Sequence, residues 1–152
     1  DKNVIKQIIL WQQEFVGKVR LQNRSVSFDE KPIMYSRGVR NEQSLRMLVR
    51  KLADSVMQPT AHQEITEYFQ GNGTKITRET ISSYLDYTNE SYLTFGISCF
   101  TDSISDRETI KKHYFYDNGI LNLFLFQPET KLLENMVAIH LYKKYGEDLY
   151  YY

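Results

Sequence analysis

Apolar residues recur every three or four positions along much of this chain, which is the spacing of an amphipathic helix. The pattern predicts one helix over residues 3–17 and another that begins at Asn41 and ends before Pro59. Between them, residues 18–28 alternate roughly by two, which predicts strand or irregular structure. The apolar stripe of the second helix consists of Leu45, Leu48, Val49, Leu52 and Val56.

Two shorter helices follow, one on each side of a glycine-containing turn. Thr60 with Gln63 has the spacing of a capping box, which predicts that a helix starts at Thr60. The segment Gly71–Lys75 permits positive φ angles, and Thr77 can then cap a third helix. The two helices form a helix-turn-helix candidate. Their predicted buried residues are Ile65, Tyr68 and Phe69 in the first, and Ile81, Tyr84, Leu85 and Thr88 in the second.

Two strands are predicted next, joined by a polar loop over residues 101–112. Tyr92–Phe100 is rich in β-forming residues and alternates, and His113–Asp117 is a second short strand. Three helices followed by a hairpin with a long charged loop is the order of a winged helix. A helical bundle with an incidental hairpin would give the same pattern.

The densest apolar run of the chain lies within Lys112–Tyr145. After the second strand, this run predicts a short helix over Gly119–Phe126 and a long amphipathic helix from Thr130. Asp148–Tyr152 is typical of the beginning of a strand whose partners lie beyond the chain. The run is therefore interpreted as a junction between two lobes of a longer protein.

The predicted fold class is mainly α with a small β component. A winged helix-turn-helix over residues 37–117 is followed by the truncated start of an α/β lobe over residues 118–152. Residues 1–36 form a separate N-terminal segment, with a helix and an irregular or strand part.

Composition limits the possible partners. The 152 residues contain 19 basic and 19 acidic side chains, so no overall field favours nucleic acid or a membrane surface. Cys99 is the single cysteine, which excludes an internal disulfide framework. The longest apolar run is too short to span a bilayer, and the first residues have no signal-peptide pattern, so we expect a cytoplasmic protein.

Most of the chain, from Gly38 to Tyr145, resembles the middle and C-terminal part of a large family of bacterial and archaeal AAA-type ATPases. That family carries a C-terminal domain of uncharacterised function. The resemblance implies a winged helix followed by the opening helix of a nuclease-like α/β fold. The five blocks that carry it are Gly38–Asn41, Leu45–Val56, Ile76–Phe95, Lys112–Asn122 and Leu132–Gly146.

The same resemblance implies ATP and magnesium in the parent protein, but not in this chain. Gly71–Lys75 lacks the Gly-Lys-Ser/Thr ending of a phosphate-binding loop. Glu134 matches the helix glutamate of the nuclease-like fold, whose other magnesium ligands would come from later strands. No metal site can then be completed within the chain, and an ordinary helix-dipole role for Glu134 is the simpler interpretation. We predict a non-catalytic fragment.

Binding of duplex DNA is the sharper functional hypothesis, because a winged helix places its third helix in the major groove and its wing along the phosphates. However, residues 61–90 hold two basic against five acidic side chains, which opposes phosphate binding by the third helix. The candidate DNA-contacting residues are Lys75, Arg78, Ser82 and Ser83 on and before that helix, and Arg107, Lys111 and Lys112 in the wing.

The alternative hypothesis is a protein-interaction or oligomerisation module. Residues 37–60 hold five basic against two acidic side chains, and within them Arg46, Arg50 and Lys51 form a basic patch on one predicted helix. That patch could contact the ATPase core of the parent or the acidic third helix of another copy. The residues alone leave the two hypotheses about even, and the family resemblance favours DNA.

The remaining reactive side chains have ordinary interpretations. His62, His113 and His140 share no ligand spacing with Cys99, so a zinc site is not predicted. His140 lies close to the stripe of Leu133, Val137 and Leu141 and is interpreted as a partly buried histidine.

Overall fold

The helix predicted from Asn41 is present as α1 (Glu42–Asp54). The computed structural model of the protein describes residues 42–126 and 128–152. The predictions for residues 3–17 and 18–28, and the helix start at Asn41, lie outside the described residues. The stripe predicted for α1, from Leu45 to Val56, is buried.

Nine further elements follow α1, and together the helices account for 61% of the described residues. The predicted class, mainly α with a small β component, is therefore confirmed. A single turn of 3₁₀-helix, Gly146–Asp148, precedes the last strand. The elements are β1 (Pro59–Ala61), α2 (His62–Gly71), α3 (Arg78–Glu90), β2 (Thr94–Cys99), α4 (Ile104–Thr109), β3 (Ile110–Phe115), α5 (Asn118–Asn122), α6 (Glu129–Tyr145) and β4 (Tyr150–Tyr151).

The four strands form one mixed sheet in the order β1-β3-β2-β4. β2 and β3 are an antiparallel hairpin, in which Phe95 lies opposite Tyr114, and β1 pairs antiparallel with the far side of β3. The strand predicted near the end of the chain is present as β4. Among the described residues its neighbour is β2, which it joins in parallel with Ser98 opposite Tyr150.

Two local predictions around β1 and the hairpin were wrong. Thr60 does not cap a helix, because it lies in β1 opposite Lys111, and α2 begins at His62 without a side-chain cap. The polar loop between β2 and β3 contains the short helix α4. Its N-cap is Ser103, whose hydroxyl accepts a hydrogen bond from the amide of Asp106 at 3.1 Å.

The long helix α6 is fixed to the end of β3 by one buried amide side chain. Asn135 is fully buried; its Oδ1 accepts from the amide of Phe115 at 2.7 Å, and its Nδ2 donates to the carbonyl of Phe115 at 2.9 Å. Nδ2 also donates to Oδ1 of Asn118 at 2.7 Å, at the start of α5. A single side chain thus pairs both backbone groups of a strand residue, as a neighbouring strand would.

Aromatic contacts further along α6 also hold this helix against the sheet. The ring of Tyr142 stacks on Phe95 of β2 with centroids 4.3 Å apart, and it meets Tyr116 edge-on at 5.9 Å. The face of α6 that carries Asn135, Ala138 and Tyr142 therefore lies against the sheet. Gly146, with a φ of 58°, ends the helix in a backbone conformation that favours glycine.

One core histidine carries an unsatisfied polar atom. His113 of β3 is buried, and its Nε2 has no hydrogen-bond partner among the described residues. Burial lowers the pKa of His113 to about 3, and the positive charge of Lys111 and the neighbouring His62 act in the same direction. The imidazole is therefore neutral in the folded protein at neutral pH.

We expect Asn135→Ala to lower the free energy of unfolding by about 2–4 kcal/mol, because it leaves the buried amide and carbonyl of Phe115 unpaired. Chemical denaturation monitored by circular dichroism measures this change. Asn89→Ala, at an exposed position of α3, is the matched control and should change stability by less than about 0.5 kcal/mol. Equal effects in the two variants would contradict the role assigned to Asn135.

His113 should make the fold sensitive to mild acid. Its folded pKa lies below its unfolded value, so the unfolded chain binds the proton more tightly, and stability falls as the pH drops below about 6.5. Between pH 7 and pH 5 we expect a loss of about 1–2 kcal/mol from this group. Thermal unfolding across that range should show a weaker dependence of stability on pH for His113→Phe, and the wild-type dependence for Asn89→Ala, which removes no titratable group. A wild-type slope in His113→Phe would contradict this assignment.

Candidate functional site

The third helix, α3, is the element on which the DNA hypothesis rests. The hydroxyl of Thr77 caps it, as predicted, by accepting a hydrogen bond from the amide of Thr80 at 3.3 Å. The buried residues of α3 are Ile81, Tyr84, Leu85 and Thr88, which the apolar pattern predicted. Because that stripe faces the core, the opposite face of α3 is available to a partner.

The available face of α3 is mainly acidic. Glu79, Asp86 and Glu90 are exposed on the helix, and Arg78 at its first position is its one basic side chain. Arg78 already donates from Nε to Oε1 of Gln63 in α2 at 2.8 Å. A phosphate backbone placed on this face would meet three carboxylates and one cation.

Glu79 keeps its charge near neutral pH. Hydrogen bonds from its own backbone amide and from Thr77 lower the pKa of this carboxyl. It also lies in the first turn of α3, where the helix dipole favours a negative charge. Glu79 therefore contributes a negative charge to the first turn of α3 at neutral pH.

The other candidates near α3 contribute little positive charge. Lys75 is exposed in the turn before the helix. Ser83 is exposed, but its hydroxyl donates to the carbonyl of Glu79 at 2.9 Å, within its own helix. Ser82 is only half-exposed. Of the residues predicted to contact DNA from this helix, only Lys75 and Arg78 are cations.

Arg107, the first basic candidate of the wing, is occupied by its own loop. Its Nε donates to the carbonyl of Asp102 at 3.1 Å, and a guanidinium nitrogen donates to the carbonyl of Phe100. The guanidinium also lies 5.3 Å from the ring centroid of Tyr150 in β4. Arg107 therefore ties the hairpin loop to the sheet edge.

The two wing lysines are also held against the sheet. The ammonium of Lys112 lies 4.0 Å from Oε1 of Glu134 and 4.9 Å from the ring centroid of Tyr151. The stem of Lys111 crosses Gly96 on β2, where an added Cβ would lie only 2.8 Å from its Cδ. Both lysines are half-buried.

One cation of the predicted basic patch on α1 is also held by contacts within the protein. Lys51 forms an ion pair with Glu64 at 3.1 Å and lies 5.8 Å from the ring centroid of Tyr68, both in α2. Arg50 is exposed and Arg46 is half-buried. Lys51 thus contributes to the packing of α1 on α2.

Glu134 has protein partners that explain its position on α6. Its Oε1 accepts from the hydroxyl of Tyr114 at 2.7 Å and lies near the ammonium of Lys112. Burial and the Glu134 carboxylate raise the pKa of Tyr114. Among the described residues, no group of three or more His, Cys, Asp or Glu side chains is placed to hold a metal ion.

The outer side of α6 differs from the sequence prediction. Leu133, Val137 and Leu141 were interpreted as a stripe beside a partly buried His140, but all four residues are exposed, together with Met136. The sequence around Asn135, with Glu134 before it and Met136 after it, does not mark the inner side, because the backbone partners of Asn135 are on β3.

Comparisons with known proteins place the chain in a family but assign it no activity. None of the curated proteins and none of the solved structures matches the chain. In the part of the chain that the structure describes, no helix is long and apolar enough to cross a membrane. A family model described as a domain of unknown function (DUF8612) matches residues 13–131. Because this match covers well over half of the sequence, the chain belongs to the DUF8612 domain family.

Proposed function

We propose that residues 42–152 contain a winged helix that binds a protein partner through the acidic face of α3. The order of elements from α1 to β3 supports the winged helix: one helix, a short strand, two helices and a hairpin, with β1 beside β3. The connection between the hairpin strands, which contains α4, occupies the position of a wing. The helical bundle with an incidental hairpin is less favoured, because β1 joins that hairpin in one sheet.

One observation carries the choice of a protein rather than DNA as partner. The exposed face of α3 presents Glu79, Asp86 and Glu90, while its single cation, Arg78, is bonded to Gln63. Binding to DNA depends on neutralising phosphates with lysine and arginine. A surface of three carboxylates instead complements a basic protein surface.

The charge of the whole unit supports the same choice. Residues 42–152 hold eleven Lys and Arg side chains against fifteen Asp and Glu side chains, a formal charge of −4. Arg107, Lys112 and Lys51 are held by contacts within the protein. Within this unit, acidic side chains therefore outnumber the cations, and three of the cations are already engaged, which disfavours a phosphate backbone as partner.

The resemblance to AAA-type ATPases suggests where such a partner could come from. We propose that the chain is part of a larger ATPase, with ATP and magnesium bound elsewhere in that parent, and that this unit docks on another part of the assembly. The DUF8612 match carries no assigned activity, so the ATPase and nuclease-like relationships rest on the resemblance alone. Protein binding by α3 does not depend on either of them.

We expect the 152-residue protein to show no binding to a labelled DNA duplex, even at low ionic strength, in a fluorescence anisotropy titration. The variant Glu79→Lys/Asp86→Lys should gain weak binding that falls steeply with salt, because it converts the α3 face to a cationic one. Duplex binding by the wild-type protein that is lost in Arg78→Ala would overturn the proposal in favour of DNA.

The positive test uses a short lysine-rich peptide as a probe for a basic protein surface. We expect the peptide to bind the wild-type protein weakly and the variant Glu79→Gln/Asp86→Asn about two- to tenfold less tightly, since exposed charge pairs contribute little each. The matched control Glu108→Gln/Asp148→Asn removes two exposed carboxylates away from α3. If the control weakens binding as much as the α3 variant does, the attraction is not specific to α3.

A further inference from the structure

The outer side of α6 presents an apolar surface to solvent. Leu133 is 59% exposed, Met136 54%, Val137 49% and Leu141 36%. These positions recur at intervals of three and four, so they lie along one side of the helix, opposite Asn135, Ala138 and Tyr142. Exposed apolar residues are ordinary when scattered, but a continuous row on one helix indicates an interface. We call Leu133, Met136, Val137 and Leu141 the α6 stripe.

Charged residues stand at the two ends of the α6 stripe, and their signs are opposite. Glu129 lies in the first turn of α6, and Lys143 and Lys144 lie in its last turn. At 100° per residue, Glu129 and Lys144 fall on the same side of the helix as Leu133 and Val137. The ammonium of Lys144 lies 4.9 Å from the ring centroid of Tyr145, which holds it beside the end of the stripe. The two ends of the stripe thus carry charges of opposite sign.

The α6 stripe and its terminal charges are complementary to the same surface of a second copy when the two helices lie antiparallel. If two α6 helices pack antiparallel about a point between Met136 and Val137, Met136 of one copy faces Val137 of the other, and Leu133 faces His140. In the same register, Glu129 lies opposite Lys144, and the two-fold symmetry repeats this pair at the other end. A parallel arrangement would instead place Glu129 against Glu129 and Lys144 against Lys144. The charge pattern therefore selects the antiparallel arrangement.

We propose that the α6 stripe is a homodimer interface, in which α6 of one copy packs antiparallel on α6 of a second copy. The proposal goes beyond the protein-binding role proposed above, because it concerns a different surface and names a second copy of this chain as the partner of that surface. Apolar contacts along the stripe supply the affinity, and the two Glu129–Lys144 pairs set the direction and register. The acidic face of α3 remains available to another partner.

The oligomeric state of the full chain tests the interface. Sedimentation velocity over a range of protein concentrations should show a monomer–dimer equilibrium for the wild-type protein. Val137→Glu should weaken the dimer at least about tenfold, because it places two carboxylates at the centre of an apolar contact. Ile104→Glu, an equally apolar-to-acidic change at an exposed site on α4, is the matched control and should leave the equilibrium unchanged.

A charge exchange tests the antiparallel register. Glu129→Lys and Lys144→Glu should each weaken the dimer by about two- to tenfold, because each creates two like-charge contacts. The double variant Glu129→Lys/Lys144→Glu should restore the wild-type dissociation constant. Single variants that associate as tightly as the wild-type protein would overturn the register and indicate a parallel pair, because there each reversal only replaces one like-charge contact by another.

A protein that stays monomeric at all concentrations, or a dimer that Val137→Glu leaves intact, would overturn the α6 interface. Neither result affects the lysine-peptide and DNA titrations, which report on α3. Failure of the dimer and failure of the protein-binding role are therefore separate outcomes. Thermal unfolding of each variant checks that it is folded.

Discussion

The buried amide of Asn135 is the interaction on which the arrangement of this unit depends. β3 ends at Phe115, whose amide and carbonyl both point at α6 and are both paired by the Asn135 side chain. No apolar residue could replace it without leaving two buried backbone groups unpaired. The third bond, to Asn118, fixes the start of α5 on the same side chain. One residue therefore joins the hairpin, α5 and α6.

Because Asn135 must face the sheet, the rotation of α6 about its axis is determined, and its apolar outer side follows from that. Tyr142, two turns later, then stacks on Phe95, and Glu134 reaches the hydroxyl of Tyr114. The inner side of α6 is thus largely polar or aromatic. Aliphatic side chains that would be core residues in an ordinary amphipathic helix are left on the outer side, as the α6 stripe.

This inversion shows how far the sequence could predict the fold. In α1 and α3 a single apolar stripe faces a polar side, so the buried residues, such as Leu48 and Ile81, followed from the pattern. In α6 the apolar periodicity indicates the wrong side, because the aliphatic row lies outward and Asn135, Ala138 and Tyr142 lie inward. The inner side is determined by the backbone groups of Phe115 that Asn135 pairs, twenty residues away in sequence. The prediction that Thr60 caps a helix was wrong for a related reason. Thr60 lies in β1, which pairs with β3, a strand much later in the sequence.

Prediction from sequence has the same limit for the charged residues of the candidate site. The cations of the wing and of α1, and the acidic excess around α3, follow from residue type alone. The contacts of Arg107 with Phe100 and Tyr150 could not be predicted, because Phe100 follows β2 and Tyr150 lies in β4, and the two come beside α4 only in the folded sheet. A side chain's charge is readable from sequence, whereas its availability depends on tertiary neighbours.

The two proposed surfaces differ in the physical term that gives them affinity. Contacts on the acidic face of α3 are exposed charge pairs, which salt screens over about 8 Å at physiological ionic strength. Contacts along the α6 stripe are apolar, and salt leaves their contribution largely intact. A unit built this way can hold a second copy through α6 under conditions that release a basic partner from α3. The position of Asn135 makes this division possible, because it turns the aliphatic side of α6 outward while the charges remain on α3.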